Sequence, residues 1–187
     1  VQQLGRAPDT VLIPCGGGAG MVAAHDAFRE MFAAGVIDRM PRLVGVQLQA
    51  CDPTARAFHE GRDAVTPVDK KPSLSDAIMN NNPYWGRYCL QAVRETGGTM
   101  ISVSDADFIR TIRELGREEG LFTEPAGSVS VAALRYLVKV PGFENPGLTV
   151  CNLTGHGLNV PQVATDESET PGVIPPTVEA VEASLQS

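Results

Sequence analysis

The residues best placed to do chemistry in this sequence are glycines. Cys15-Gly16-Gly17-Gly18-Ala19-Gly20 separates an apolar run, Val11 to Ile13 closed by Pro14, from a segment in which Met21, Ala24, Phe28, Met31 and Phe32 share one helical face. A turn of this kind offers backbone N–H groups that no side chain obstructs. It also lies at the positive end of a helix dipole, and together these suit a phosphate. Two nucleotide signatures fail here. The GxGxxG pattern begun at Gly16 ends on Met21, and no Gly-Lys-Ser/Thr closes the loop. A turn needed only to pack a strand against a helix is the competing reading.

A second turn, Leu153-Thr154-Gly155-His156-Gly157-Leu158, puts a hydroxyl where a small ligand could be reached. Taken alone, Thr154 is as well explained as a satisfied turn hydroxyl. Glu124 precedes Pro125, which suits a first helical residue, so its carboxylate could orient a ligand or serve the helix dipole. His156, between two glycines, reads as a shape or hydrogen-bonding residue, and His25 and His59 as packing or surface histidines. Ser128 and Ser130 read as small packing residues. Cys15 has no basic neighbour to make a thiolate of it. No His/Cys/Asp/Glu cluster has metal-ligand spacing, and no metal is expected.

These residues need elements to hold them. Leu43 to Gln49, Thr99 to Val103 and Leu148 to Leu153 have the length and composition of strands. Ser104 with Asp107 forms a capping-box-like start to a helix running towards Gly120, with Phe108, Ile109, Ile112 and Leu115 on one face. Val129 to Val138 is apolar enough for a largely buried helix. The alternation predicts an α/β fold with a mainly parallel twisted sheet and helices on both faces, spanning residues 1–160. Both glycine turns follow strands, so both belong on the carboxyl edge of the sheet, where such folds bind ligands. Residues 161–176, rich in Pro, Thr, Asp and Glu, read as an exposed linker, and Val178 to Leu185 as a short terminal helix.

Composition narrows the partners. In 187 residues, 15 Lys plus Arg stand against 22 Asp plus Glu, a net charge of −7, and no basic run occurs, which argues against nucleic-acid or anionic membrane surfaces. No apolar run approaches membrane-spanning length. Cys15, Cys51, Cys89 and Cys151 lack CxxC spacing and read as reduced thiols of a cytoplasmic protein that handles a small molecule.

Five segments in order carry a family resemblance: Cys15 to Gly20, Asp76-Ala-Ile-Met-Asn-Asn-Asn-Pro-Tyr-Trp85, Glu95 to Asp105, Glu118 to Gly127, and Cys151 to Leu158. They resemble threonine synthase, of the pyridoxal-phosphate enzymes of the tryptophan-synthase-β type (fold type II), and cover the chain from about Val11 to Val160. The resemblance implies pyridoxal 5'-phosphate as cofactor. Its phosphate would lie on Gly16, Gly17, Gly18, Ala19 and Gly20, and its pyridine nitrogen on Thr154. A hydroxyl there, rather than a carboxylate, tunes the ring for elimination and replacement. The implied reaction converts O-phospho-L-homoserine and water to L-threonine and phosphate, with Glu124, Asn82 and His156 lining or rimming the cleft.

Two departures bear on the substrate. The loop Gly16 to Gly20 carries no asparagine and looks closer to that of serine/threonine dehydratases, and Asn159-Val160 follows the second turn where threonine synthases usually have Lys-Asp. The family also forms its Schiff base through a lysine that precedes the glycine loop. Lys70, Lys71 and Lys139 are the only lysines here and read as solvated charges, so the chain supplies no catalytic residue by this resemblance. A strand beginning only ten residues in is abrupt for a complete protein. The sequence therefore reads as the carboxyl-terminal portion of such an enzyme, inactive alone, which would form a homodimer or pair with the missing N-terminal half. A serine/threonine dehydratase or another pyridoxal-phosphate β-elimination or replacement enzyme is the enzymatic alternative, and a non-catalytic paralogue that keeps an anion site and acts as a binding module is the rival of another class; an upstream Ser-x-Lys-x-Arg-like segment would decide for the enzyme. A nucleotide-binding domain comes third.

Overall fold

The computed structural model describes residues 1–165 and 173–184. Four strands, β1 (Thr10–Pro14), β2 (Arg42–Leu48), β3 (Thr99–Val103) and β4 (Thr149–Cys151), form one parallel sheet in the order β3-β2-β1-β4. Alternate side chains of a strand face opposite ways, so a sheet covered on both sides needs apolar residues at nearly every position. In β2, Leu43 faces one layer while Val44, Val46 and Leu48 face the other. The first layer holds α1 (Ala19–Ala33), α2 (Pro53–His59) and α3 (Gly86–Glu95), packed through Met21, Ala55, Cys89 and Val93. The second holds α4 (Asp105–Glu114), α5 (Pro125–Ala132) and α6 (Leu134–Leu137), packed through Phe108, Ile112, Val129 and Leu137.

The chain winds outward from β1 through α1 to β2 and through α2 and α3 to β3. It then returns along the other face through α4, α5 and α6 to β4, on the far side of β1. Strand order therefore reverses at β1. In such a sheet the loops leaving the two strands at the reversal part to opposite faces and leave a crevice between them. Leu12 pairs with Cys151, and Asn152 N–H donates to Leu12 C=O at 3.0 Å. The loops after β1 and β4 thus emerge side by side.

The α/β architecture, parallel sheet and two helical layers are those predicted from the sequence. The third strand has the expected bounds, and the fourth is shorter, Thr149–Cys151. The helix towards Gly120 ends as a single π turn, Leu115–Glu119, after α4; Gly120 is left-handed at φ 66°, and Leu121 N–H closes the wider turn on Leu115 C=O at 3.1 Å. The apolar helix expected over Val129 to Val138 is interrupted at Ala133, whose ψ of −20° tightens the backbone towards 3₁₀ geometry and separates α5 from α6. Within the segment expected as linker, α7 (Gln162–Thr165) adds one helical turn, with Val163 packed against the core. Residues 166–172 lie outside the described residues, and α8 (Val178–Ser184) buries no side chain. No described helix is long and apolar enough to cross a membrane.

One carboxylate ties the second layer together. The Oδ2 atom of Asp107 accepts from the Ser104 hydroxyl at 2.6 Å, the Ser104 N–H at 3.0 Å and the Tyr136 hydroxyl at 2.7 Å. Burial alone would push its carboxyl up, but the Ser104 and Tyr136 donors and the nearby Arg110 guanidinium outweigh it and hold Asp107 below the usual carboxylate range. A group depressed on folding contributes stability that is present above its unfolded value of about 4 and is lost as pH falls through its folded value. Asp107→Asn is expected to cost about 1–3 kcal/mol at pH 7 and to flatten the loss of stability as pH falls below about 4, read by urea unfolding across the acid range. An unchanged acid slope in the variant would assign the acid sensitivity elsewhere.

Candidate functional site

At the carboxyl end of β1, Cys15 N–H still belongs to the sheet, donating to Val46 C=O at 2.8 Å. From Gly16 the ladder stops. Gly18 is left-handed at φ 95° and serves as the N-cap of α1 without any side-chain cap. A Cβ at Gly16 would lie 3.0 Å from the backbone of Ile78, one at Gly17 3.3 Å from Asn80 Nδ2, and one at Gly18 would clash with Cys89 Sγ. The segment 78–85 and the start of α3 therefore press on the loop from one side, and only glycine fits beneath them.

Its backbone polar groups are divided. Three of the carbonyls are held by the protein: Gln47 Nε2 donates to Cys15 C=O at 2.9 Å, Trp85 N–H to Gly17 C=O at 3.1 Å, and both Val22 N–H, at 3.1 Å, and Cys89 Sγ–H, at 3.4 Å, to Gly18 C=O. The amides are not. Gly16, Gly17 and Gly18 donate no hydrogen bond among the described residues, and Ala19 and Gly20 stand in the first turn of α1, where amides have no intrahelical acceptor. Consecutive free donors at a helix N-terminus, with their carbonyls turned to other partners, make a receptor for an anion with several acceptor oxygens.

The second turn is built against α5. Gly127 packs on Thr154 C=O, Gly155 (φ 78°) packs on the Glu124 carboxylate, and Thr123 and His156 form a short antiparallel bridge. Ser130 Oγ donates to Asn152 C=O at 2.9 Å and fixes the turn's entry, the packing role expected of that serine. The Thr154 side chain, half-buried, makes no hydrogen bond among the described residues, so its hydroxyl is available to a ligand. Glu124 accepts from Asn159 Nδ2 at 2.8 Å and lines, with Ser75, Asp76 and Asn159, a cavity of about 390 Å³ at the start of α5. Ser75 Oγ in that wall is buried and unpartnered in the protein.

Glu124 and Thr154 are therefore brought together by the α5 contact, beside the glycine loop across the switch point. His156 stands at the turn's outer side: its ring meets Phe122 edge-on, and its Nδ1 accepts from Leu158 N–H at 3.2 Å. Asn82 is exposed, its N–H donating to Asn80 Oδ1 at 3.1 Å, and it is Asn80 that reaches the loop. The resemblance puts Asn80 at the cleft rim together with Asn81, Asn82, Pro83 and Trp85, and the sequence marks Asn159 only as a departure from the family. Sequence reasoning missed the roles of Gln47 and Cys89, which carry no local signal.

Cys15 and Cys151 are poorly placed to act as thiolates. Its hydrogen bond with Cys89 and complete burial push the Cys15 thiol well up, and burial pushes Cys151 up to about 11. Lys70, Lys71 and Lys139 are all exposed, and no described group of His, Cys, Asp and Glu could hold a metal ion.

Gly18→Ala is expected to lose about 1–2 kcal/mol from the left-handed backbone alone, plus the Cys89 clash, and to abolish protection of this chain by inorganic phosphate in thermal unfolding. Thr154→Val should leave unfolding within about 0.5 kcal/mol of the original, since no protein hydrogen bond is lost. A larger loss in urea unfolding would make Thr154 a structural hydroxyl.

Comparison with known proteins gives this geometry its family. A threonine synthase from Methanosarcina acetivorans is 33% identical over 180 residues, 96% of this chain and 44% of that protein. One from Synechocystis is 36% identical over 170 residues, 90% of this chain and 41% of that protein. The chain thus spans less than half the length of these relatives. A crystal structure of a threonine deaminase from T.th. superposes with a TM-score of 0.61 at 20% identity, over 91% of this chain and 54% of that one, and shows a shared fold. The family model described as "Pyridoxal-phosphate dependent enzyme" matches residues 1–155, and loop amides without an acceptor and a Thr154 hydroxyl without a partner among the described residues are donors of the kind a phosphate and a ring nitrogen need. The chain belongs to the pyridoxal-phosphate dependent enzyme family.

Proposed function

We propose that this chain is the cofactor-phosphate-binding, carboxyl-terminal portion of a threonine-synthase-type lyase, which converts O-phospho-L-homoserine and water to L-threonine and phosphate. The observation that carries the reading is the similarity to threonine synthases over almost the whole chain, including both glycine turns. When bound, pyridoxal phosphate supplies the electron withdrawal that lets a proton leave the carbon beside an amine. The chain's own residues hold and orient it. Gly16, Gly17, Gly18, Ala19 and Gly20 neutralise its phosphate with amide dipoles, and Thr154 meets its ring nitrogen with a group that cannot fix a full positive charge there. Glu124, held by Asn159 beside Thr154, sets the charge at that end of the cleft.

The lysine that would carry the cofactor is assigned to an upstream segment, because the lysines present are exposed and stand outside both turns. Asn82 is a rim residue, and His156 shapes the turn from outside. Dimerisation, or docking of the upstream half, completes the cleft. The competing reading is a serine/threonine dehydratase, favoured by a glycine loop without asparagine. Asn80 partly answers that difference by bringing a side-chain amide to Gly17 from the neighbouring segment.

The test is an assay of the full-length protein with O-phospho-L-homoserine, L-serine and L-threonine. Phosphate release with threonine formation from the first supports the proposal. Keto acid and ammonia from the other two, without threonine formation, support the dehydratase, and cofactor binding without turnover supports a non-catalytic paralogue. The 187-residue chain alone is expected to form no threonine; turnover by it would overturn the assignment of the lysine to an upstream segment.

A further inference from the structure

In a sheet buried on both faces, β2 carries one long polar side chain that is fully buried. Gln47 is 0% exposed, yet its position alternates with Leu43 and Gly45 on the face covered by α1, α2 and α3. An amide there costs stability unless its polar atoms are paired, and it is paired at three points. Its Oε1 accepts from the N–H groups of Thr54 and Ala55, both at 2.9 Å, in the first turn of α2, and its Nε2 donates to Cys15 C=O, also at 2.9 Å. Those first-turn amides have no acceptor within their own helix, so the glutamine caps α2 from a neighbouring strand.

The cap has a second consequence. Cys15 C=O is part of the same peptide plane as Gly16 N–H, the first of the free donors in the glycine loop. Peptide planarity makes the two groups antiparallel, so fixing the carbonyl towards Gln47 fixes the amide away from it. The carbonyls of Gly17 and Gly18 are held by Trp85 N–H and by Val22 N–H with the Cys89 thiol, but the bond from Gln47 is the shortest of the four and the only one made by a fully buried side-chain amide.

We infer that Gln47 is a positioning residue for the cofactor phosphate: by holding Cys15 C=O it aims Gly16 N–H, and through it the loop, at a phosphate it never touches. The inference rests on the reading of Gly16 to Gly20 as the phosphate site and adds to it the group that orients the site. A glutamate at this position can still accept from Thr54 and Ala55, but when ionised it sets an oxygen against the Cys15 carbonyl. A methionine removes both kinds of hydrogen bond at nearly constant volume.

The experiment compares Gln47→Glu and Gln47→Met with the parent full-length protein, measuring the affinities for pyridoxal 5'-phosphate and for pyridoxal, which lacks the phosphate, beside thermal unfolding. A structural role alone lowers both affinities together and leaves their ratio unmoved; a positioning role lowers the ratio. The parent is expected to prefer the phosphorylated form strongly, and both variants to lose about tenfold or more of that preference at pH 8. A preference within twofold of the parent in either folded variant overturns the inference, whatever happens to the unfolding temperature. Failure of both variants to fold also overturns it, since Gln47 would then be a determinant of the core and not of the loop. Absence of any preference in the parent is a different result, and sinks the phosphate-site reading itself.

Discussion

Everything at the candidate site follows from one backbone demand: the carbonyls of Cys15, Gly17 and Gly18 are satisfied by the protein while the amides of Gly16, Gly17 and Gly18 are left for a ligand. A peptide unit carries both groups on opposite sides of one plane, so the division is made by orienting the planes. The left-handed Gly18 turns the chain from strand into helix at the point where the amides would otherwise close on the sheet. The cost of leaving donors unpaired is low at half-buried Gly16 and Gly17 and at exposed Ala19 and Gly20, where water meets them until a ligand replaces it, and highest at Gly18, which is buried.

That orientation depends on the packing behind it. The loop is pressed by Ile78, Trp85 and Cys89; Cys89 is held with Val93 in the layer where α3 meets the sheet, and Ile78 in the opposite layer. His25 of α1, buried and 3.1 Å from Glu95, ties the two helices that flank the loop. The opposite layer does the same for the second turn, because α5 carries Gly127 and Glu124 against Thr154 and Gly155. The reversal of strand order is what sets the two turns side by side, each anchored in a different layer of core.

The electrostatics of the site are made of dipoles more than of fixed charges. No lysine or arginine stands in the glycine loop, so a phosphate would be met by amides and a helix terminus, which bind without a mobile side chain to order. Glu124 brings a negative charge against Gly155, next to Thr154, and Asn159 holds it in place. A chain of net charge −7 thereby presents a locally electropositive loop without a basic side chain in it.

The elements of the fold were legible because their signals are local: apolar runs of strand length, the Ser104–Asp107 capping box and Pro125 at the start of α5 all depend on residues within a few positions of each other. Those signals also put the two glycine turns on one edge of the sheet, and the motif order pointed to the family. They did not reveal Gln47, which as a sequence feature is a polar interruption in an apolar strand, nor that Asn80 and not Asn82 meets the loop, because both depend on which face of a segment turns inward. The break at Ala133 and the π turn after Glu114 were equally silent, being adjustments of helices to the layer they pack on. The sequence by itself determined where the chain turns and which backbone groups lack side chains. Only the tertiary structure decided which of those groups are tied and which are free, since a hydrogen bond between residues thirty or more positions apart, such as Gln47 to Cys15, exists only once the sheet has brought their strands side by side.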